Sequence, residues 1–548
     1  MLRTPRPYLM TDEQREQSDE ERRRLLWAVV LGPGGGEKWD RAIVGSFGEM
    51  DRDSLKEQRP TFSSFSGPNS PFTAEEFDST EPLVMAAKLA GWRPTDADSR
   101  ELISAEGVGR QLEGSVKRAP RSWADDPVRM IEELRHALYI GQYFRGLAGV
   151  EGTLDADGEK LVAAIRLARS HPWDVVPLGP DASDFEIDWV RADEAGVELI
   201  EAMVGKGVPL DGPALADALE MASDAATDRT AGSVILSEED PLALAINRPC
   251  TRALQTLLHL IQHANRGGHS VPERVKEVLT EGLRLPGQDG AQHRAILAPR
   301  TSFLRHALPE WFERNEDLMF GSEAPEGLGQ TSIDLVLRWG HPDRWLLERY
   351  QAQVIEAVRR NVDRAIQGLL LGMFWDVPGY DPGQVVNILG RLGTTYVSLG
   401  GETSARMVAP DDAPAEAVLR GAEFWERTLA SEPEPAALAG YAAWADVSGL
   451  DEDRWETLTL ATSERANGRL DRPDRVSERA SQSPVSRTGL RILTSLIRAD
   501  LDYWDKYRVA EHALNALRES AGMPDLDDAR GVLRTVMLEH GIHSAEEF

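Results

Sequence analysis

The residue pattern with the clearest chemical meaning is HLIQH, from His259 to His263. Two histidines four residues apart share one face of a helix, which is the spacing of zinc-binding H-E-x-x-H motifs. His269 follows a Gly-Gly pair and offers a third imidazole. Leu260, however, stands where such hydrolases place the glutamate that accepts a proton from water. The three histidines are thus candidate metal ligands of a metal-dependent hydrolase, and the alternative is a helix with a polar flank beside a buried leucine stripe.

Two further motifs are incomplete. The stretch LLWAVVLGPGGGEKWD, residues 25–40, has the glycines and lysine of a phosphate-binding loop, but Glu37 and Trp39 replace two of its required residues. A carboxylate repels phosphate and an indole cannot bind magnesium, so a surface loop that follows a helix is expected instead. The nearest match to a G-x-S-x-G nucleophile motif surrounds Ser46, where Val44 replaces the first glycine. These patterns predict a chain that has no cofactor and is not an enzyme.

Arginines recur from residue 463 to residue 491, a segment with few acids and no apolar stripe. This composition favours a flexible basic loop over residues 463–489, and such a loop can become ordered on phosphate or on an acidic partner surface. An ordinary disordered linker is the alternative. The candidate binding residues are Arg465, Arg469, Arg472, Arg475 and Arg479.

Aromatic residues interleave with charged ones in PEWFERNEDLMF and WGHPDRWLLERY. Tryptophan and tyrosine that are not needed in a core commonly anchor protein interfaces, whereas at helical spacing they often belong to the core. The candidate partner-binding residues are Trp311, Trp339, Trp345 and Tyr350.

The chain has 548 residues and a net charge of −30, from 61 basic and 91 acidic residues. A strongly negative field repels nucleic acid and anionic lipid, so nucleic-acid binding is expected only through the 463–491 segment. No apolar run is long enough for a membrane span, and the N-terminal residues lack the pattern of a signal peptide. A single cysteine, Cys250, excludes an internal disulfide and fits a reducing cytoplasm. Flanking Arg248 and Arg252 suggest an activated thiol, and the alternative is a small buried side chain.

Helical periodicity extends over most of the chain and is punctuated by proline and glycine. It predicts helices at Pro127–Leu147 and Cys250–Asn265, and the longest helix at about Asp343–Phe374. The best strand candidate is TTYVSL, residues 394–399, which could equally begin a helix. We therefore predict an all-α fold, an irregular α-solenoid of stacked helical hairpins, with an all-α multidomain array as the alternative.

Composition and punctuation divide the chain into four regions. Residues 1–80 are predicted to form an N-terminal helix followed by a segment rich in Ser, Pro and Gly, and residues 81–240 a helical repeat region. Residues 241–410 form a central solenoid, and residues 411–548 form a C-terminal helical region that contains the 463–489 loop.

Three passages within about residues 240–400 resemble a known class of protein: INRPCTRALQTLLHLIQHANR, RAILAPRTSFLRHALPEWFERN and HPDRWLLERYQAQVIEAVRRNVDRAIQGLLLGMFWDVPG. They resemble the α-helical scaffold or sensor regions of large bacterial proteins of the anti-phage defence type. No ATPase or effector motif accompanies them, so no activity of those proteins is implied. The resemblance implies a non-catalytic helical scaffold or sensor that binds a protein partner of unknown identity.

Overall fold

The structure is a computed structural model that describes residues 69–95, 103–170, 188–228 and 240–548. Within these ranges the secondary structure is helical throughout and contains no strand or sheet, which confirms the predicted all-α fold. Residues 394–399 lie in a helix. No described helix is both long enough and apolar enough to cross a membrane. The stretches around Glu37 and Ser46 lie outside the described residues.

The chain divides into two units. Of the first, the structure describes an isolated parallel bridge between Asn69 and Ile103, beside which the Ser104 amide donates to the Asn69 carbonyl. Residues 70–96 and 105–548 form the second unit, which holds all 27 α-helices of the described residues. The four regions drawn from the sequence stay a prediction.

The N-terminal part of the second unit has nine helices, and one predicted helix is divided in two. A helix that begins at Pro127 ends at Leu134, followed by Arg135, whose φ of 58° is left-handed, and a second helix begins after His136, so the single helix predicted over Pro127–Leu147 is wrong. The nine helices are α1 (Ala74–Ser79), α2 (Pro82–Gly91), α3 (Ala105–Arg118), α4 (Pro120–Trp123), α5 (Pro127–Leu134), α6 (Ala137–Ala148), α7 (Gly158–Arg169), α8 (Trp189–Gly205) and α9 (Gly212–Thr227).

In the middle of the chain the helix predicted at Cys250–Asn265 is confirmed by a helix at Pro249–Arg266. The long helix predicted at Asp343–Phe374 is three helices, because the chain turns at Tyr350 and again at the left-handed residues Asn361 and Arg364. The helices are α10 (Pro241–Ala245), α11 (Pro249–Arg266), α12 (Glu273–Arg284), α13 (Gly287–Leu297), a 3₁₀ turn (Ala298–Arg300), α14 (Thr301–Ala307), α15 (Pro309–Phe320), α16 (Leu328–Trp339), α17 (Arg344–Arg349), α18 (Gln351–Arg359) and α19 (Ala365–Phe374).

The C-terminal part corrects the prediction of a flexible loop at 463–489. This segment contains the helix Pro473–Ala480, whose Val476, Ser477 and Ala480 are buried. The elements are α20 (Pro382–Leu392), α21 (Thr394–Val408), α22 (Ala415–Ala430), a 3₁₀ helix (Pro435–Asp446), α23 (Glu452–Arg465), α24 (Pro473–Ala480), α25 (Arg487–Arg498), α26 (Tyr503–Glu519), a 3₁₀ turn (Pro524–Leu526), α27 (Asp527–Glu539) and a 3₁₀ turn (His543–Glu547).

Many of these helices begin at an aspartate, which gives the acidic composition a structural use. The side chain of the N-cap residue accepts a hydrogen bond from a backbone amide in the first turn, where amides otherwise have no partner. A carboxylate also interacts favourably with the positive end of the helix dipole. Aspartates that cap in this way are Asp126, Asp157, Asp188, Asp240, Asp343, Asp381, Asp451 and Asp502.

The helices of the second unit bury one continuous apolar core along the chain. The main contacts of each helix are with helices close to it in chain order, such as α6 with α8, α9 with α11, and α25 with α27. Stacked hairpins require contacts of this local kind, because each hairpin covers the apolar face of the next. The solenoid arrangement itself stays a prediction.

Arg294 of α13 is fully buried, with a relative exposure of 0 %. Its guanidinium donates to the carbonyls of Leu283 at 2.7 Å and Leu318 at 2.9 Å, and more weakly to that of Gly290 at 3.4 Å. Leu283 and Leu318 lie in the last turns of α12 and α15, where carbonyls have no partner within the helix. Burial lowers the pKa of Arg294 to about 10, so the side chain remains charged at neutral pH. One arginine thus joins the C-terminal ends of two helices.

His136 makes the stability of the N-terminal helices sensitive to acid. The residue is only 5 % exposed, and its Nε2 lies 3.1 Å from Nη2 of Arg93. Burial and the charge of Arg93 lower the pKa of His136 to about 4, below its ordinary value of 6.5. Between these two values the unfolded chain binds a proton that the folded chain does not, so stability falls as the pH falls.

We expect the free energy of unfolding to drop by about 3 kcal/mol from this residue between pH 6.5 and pH 4. His136→Asn removes the titrating group, so its urea-unfolding midpoint should decline less steeply than that of the wild type over this range. Equal slopes for the two proteins would contradict the prediction.

Candidate interaction surfaces

The histidines of HLIQH are engaged by two different parts of the fold. His259 of α11 places its Nδ1 2.9 Å from Oε1 of Glu201 on α8, and the hydrogen bond to His259 lowers the pKa of that carboxyl. His263, one turn later, places its Nε2 2.8 Å from the carbonyl of Leu210. His269 is exposed beyond the end of α11. No group of three or more His, Cys, Asp or Glu side chains among the described residues is arranged to hold a metal ion.

Beside Glu201 is a crevice lined by α8, α9 and α11. It includes Glu194, whose pKa is raised by burial, and the ion-paired Glu198 and Arg252. The cavity volume is about 80 Å³, whereas pockets for small organic ligands are commonly about 300–1,000 Å³. The carboxylates and His259 thus form a network that joins helices, and the crevice is too small to take an organic substrate.

Three of the four aromatic residues proposed to bind a partner instead pack between helices, which corrects that prediction. Trp311 is buried and its indole donates to Oγ1 of Thr280 at 2.9 Å. Trp345 and Tyr350 pack edge to face, with ring centroids 5.8 Å apart, and Tyr350 is buried. Only Trp339, at the end of α16, is substantially exposed among the four, at 48 %.

The arginines proposed to lie in a flexible loop are mostly engaged within the fold. Arg479 stacks on the Trp455 ring at 4.4 Å and pairs with Glu452 at 2.8 Å. The other engaged arginines contact either a carboxylate or a backbone carbonyl: Arg465 contacts the Leu429 carbonyl, Arg472 pairs with Asp446, and Arg475 pairs with Asp446 and Glu478. Of the five, only Arg469 has a side chain without a hydrogen bond or ion pair to a described residue. These contacts explain why a segment with little apolar character is ordered.

Cys250 is buried, with its pKa raised mainly by burial, and Arg248 directs its guanidinium to Asp289 and Gln292. This is the environment of an inert thiol.

We expect a disulfide reagent to label Cys250 of the folded protein at least tenfold more slowly than in urea, where the thiol becomes accessible. Ser448→Cys, which adds a thiol at an exposed position, is the positive control for the reagent. Rapid labelling of the native wild type would contradict this assignment.

An aromatic patch at the start of α26 consists of Tyr503, Trp504 and Tyr507. Their exposed fractions are 76 %, 71 % and 60 %, and the Tyr503 and Trp504 rings meet edge to face at 5.4 Å. The buried residues of α26, from Val509 to Leu517, lie in its later turns. The first turns therefore project aromatic rings beyond the core.

Three carboxylates lie near the start of α26, the helix that carries the aromatic patch. Asp502 caps α26 by accepting from the amides of Trp504 and Asp505. The pKa of Asp505 is raised by partial burial and by the nearby charges of Asp502 and Asp474. Asp474 also pairs with Arg508 at 3.0 Å. Carboxylates thus cluster at the start of the helix that carries the rings, with Lys506 and Arg508 exposed on the same turns, and aromatic faces near carboxylates attract a cation.

Sequence reasoning missed this patch, because all its candidate aromatic residues lie between Trp311 and Tyr350. A local signal was available: the aspartate of DYWDKY predicts a helix start, and the aromatics that follow it do not share the stripe of Val509, Ala513 and Ala516.

Comparison with known proteins adds no relative: the chain matches no protein-family model and has no significant match among curated proteins.

Proposed function

We propose that this chain is a cytoplasmic helical scaffold or sensor that binds a protein partner and catalyses no reaction. The aromatic patch of Tyr503, Trp504 and Tyr507 is the observation that carries the proposal. Large aromatic side chains supply most of the binding energy at protein interfaces, and they do so when they are clustered. Here three of them lie within five residues, on a helix that is held by its later turns.

The charges around the aromatic patch indicate the chemistry of the partner. Asp502 and Asp505 lie at the start of the helix that carries the rings, and Asp474 is close enough to act on Asp505, so the partner segment that fits is basic. A lysine or arginine side chain can contact the face of Trp504 while pairing with a carboxylate, which satisfies its charge in two ways. The net charge of −30 also favours the approach of a basic segment and opposes that of an acidic one.

The resemblance of about residues 240–400 supports one further part of the proposal, that the partner belongs to a bacterial anti-phage defence system. That part rests on sequence pattern, whereas the aromatic patch rests on exposed side chains. The two can fail separately.

The test is selection of binding peptides from a random display library on the intact chain. We expect the selected peptides to be rich in lysine and arginine, and to lose binding when Tyr503, Trp504 and Tyr507 are all replaced by serine. Trp339→Ser removes an exposed tryptophan elsewhere and should leave binding unchanged. Peptides without basic residues, or peptides that bind the triple variant equally well, would exclude this surface.

A further inference from the structure

A groove between α23, α25 and α27 gathers three arginines. Its volume is about 670 Å³, and its lining includes Arg487, Arg491 and Arg498 of α25 together with Glu464 and Asp528. We call it the arginine groove. Its volume lies in the range of ligand pockets, about 300–1,000 Å³.

The three arginines share one face of α25 for a simple reason. Leu490, Leu493 and Ile497 occupy the buried face, and positions 487, 491 and 498 follow helical spacing on the outer one. At 1.5 Å per residue, Arg487 and Arg498 lie about 16 Å apart along the axis. Long arginine side chains can therefore reach one ligand from both sides.

Much of the hydrogen-bonding capacity of these arginines is unused. Arg487 donates to the Asp525 carbonyl and Arg491 pairs with Glu464 at 2.7 Å. Arg498 is exposed, and its side chain has no hydrogen bond or ion pair with any residue that the structure describes. Each guanidinium has five N–H donors, so most remain available to an anion. The Arg491–Glu464 pair is about half exposed on both sides, so an incoming anion can exchange with Glu464 at little cost.

We propose that the arginine groove binds a small ligand that carries a diphosphate group. The planar guanidinium of arginine can donate two parallel hydrogen bonds to the oxygens of one phosphate. Two arginines one turn apart can therefore contact adjacent phosphoryl groups. Ala529 and Val532 of α27 add an apolar wall, which suits an organic group attached to the phosphates. A long polyanion is disfavoured because, beyond the groove, it would meet the surface of a chain with net charge −30.

The experiment measures binding of pyrophosphate and of adenosine diphosphate to the full chain by calorimetry. We expect one site per chain, and at least a tenfold loss of affinity in Arg498→Gln and in Arg491→Gln. Glu464→Gln should instead tighten binding several-fold, because it releases Arg491. Arg406→Gln is the matched control: it removes the same charge from an exposed helix position outside the groove and should have no effect.

Equal affinities for the two ligands would show that the phosphates alone are recognised. Tighter binding of adenosine diphosphate would show that the apolar wall also contributes to binding. Either result supports the site. Lack of saturation at millimolar concentration, or equal losses in Arg498→Gln and Arg406→Gln, would overturn it. Binding of a short single-stranded oligonucleotide that pyrophosphate does not displace would also overturn it, in favour of a nucleic-acid surface.

Discussion

Replacing Arg294 by methionine is expected to lower the free energy of unfolding by about 2–5 kcal/mol. The change leaves the carbonyls of Leu283 and Leu318 buried without a donor, and each such loss costs about 1–3 kcal/mol. Methionine fills similar space and removes a buried charge, which offsets part of the cost. Urea unfolding followed by circular dichroism measures the effect. Amide exchange should also accelerate in the last turns of α12 and α15, because these ends lose the arginine that joins them.

Two further variants separate the hydrogen bonds from the charge. Arg294→Lys keeps the charge but has a single nitrogen, which cannot reach all the carbonyls that the guanidinium contacts, so it should also destabilise the protein. Arg406→Met removes an exposed arginine and should change stability by less than about 0.5 kcal/mol. If Arg294→Met unfolded at the wild-type midpoint, the role assigned to Arg294 would be wrong.

Replacing Trp504 by alanine is expected to weaken binding of the selected basic peptides by about 30-fold or more. A central aromatic anchor commonly contributes at least about 2 kcal/mol, which corresponds to that factor. Stability should stay within about 0.5 kcal/mol of the wild type, because the Trp504 side chain is 71 % exposed and outside the core. Fluorescence anisotropy of a labelled peptide gives the affinity, and urea unfolding gives the stability.

The charge prediction can be tested on the same surface. Asp505→Asn should weaken the binding of basic peptides several-fold. Added salt should reduce the difference in affinity between the variant and the wild type, because salt screens surface charges. Glu423→Gln removes one exposed carboxylate from α22 and serves as the control for net charge. A large loss of stability in Trp504→Ala, with peptide affinity unchanged, would assign the ring a structural role instead.

Helix boundaries show which local features the sequence displays. Where proline and glycine flank a helix, as around α11, the predicted limits agree with the structure to within a residue. The predicted helices continued through Arg135, Asn361 and Arg364, where the helices of the structure are interrupted. These residues adopt left-handed φ values that favour glycine, and only the packing of the flanking helices compensates for that strain.

Candidate sites show the same division. His259 and His263 have the spacing of metal ligands. Their ring nitrogens instead contact Glu201 and the Leu210 carbonyl, which are more than 50 residues away in sequence. Arginine abundance drew attention to the 463–491 segment, whereas the groove is lined by Arg487, Arg491 and Arg498, which share one face of α25.

By itself the sequence determined that this protein is helical and which side chains are apolar, because helical periodicity and capping act over a few residues. Only the tertiary structure decided that Arg294 is buried against the ends of two helices and that Trp311 is buried in the core. It also decided that Tyr503, Trp504 and Tyr507 remain exposed. Burial depends on elements that are distant in the chain, and the local pattern of residues carries no information about which of them will meet.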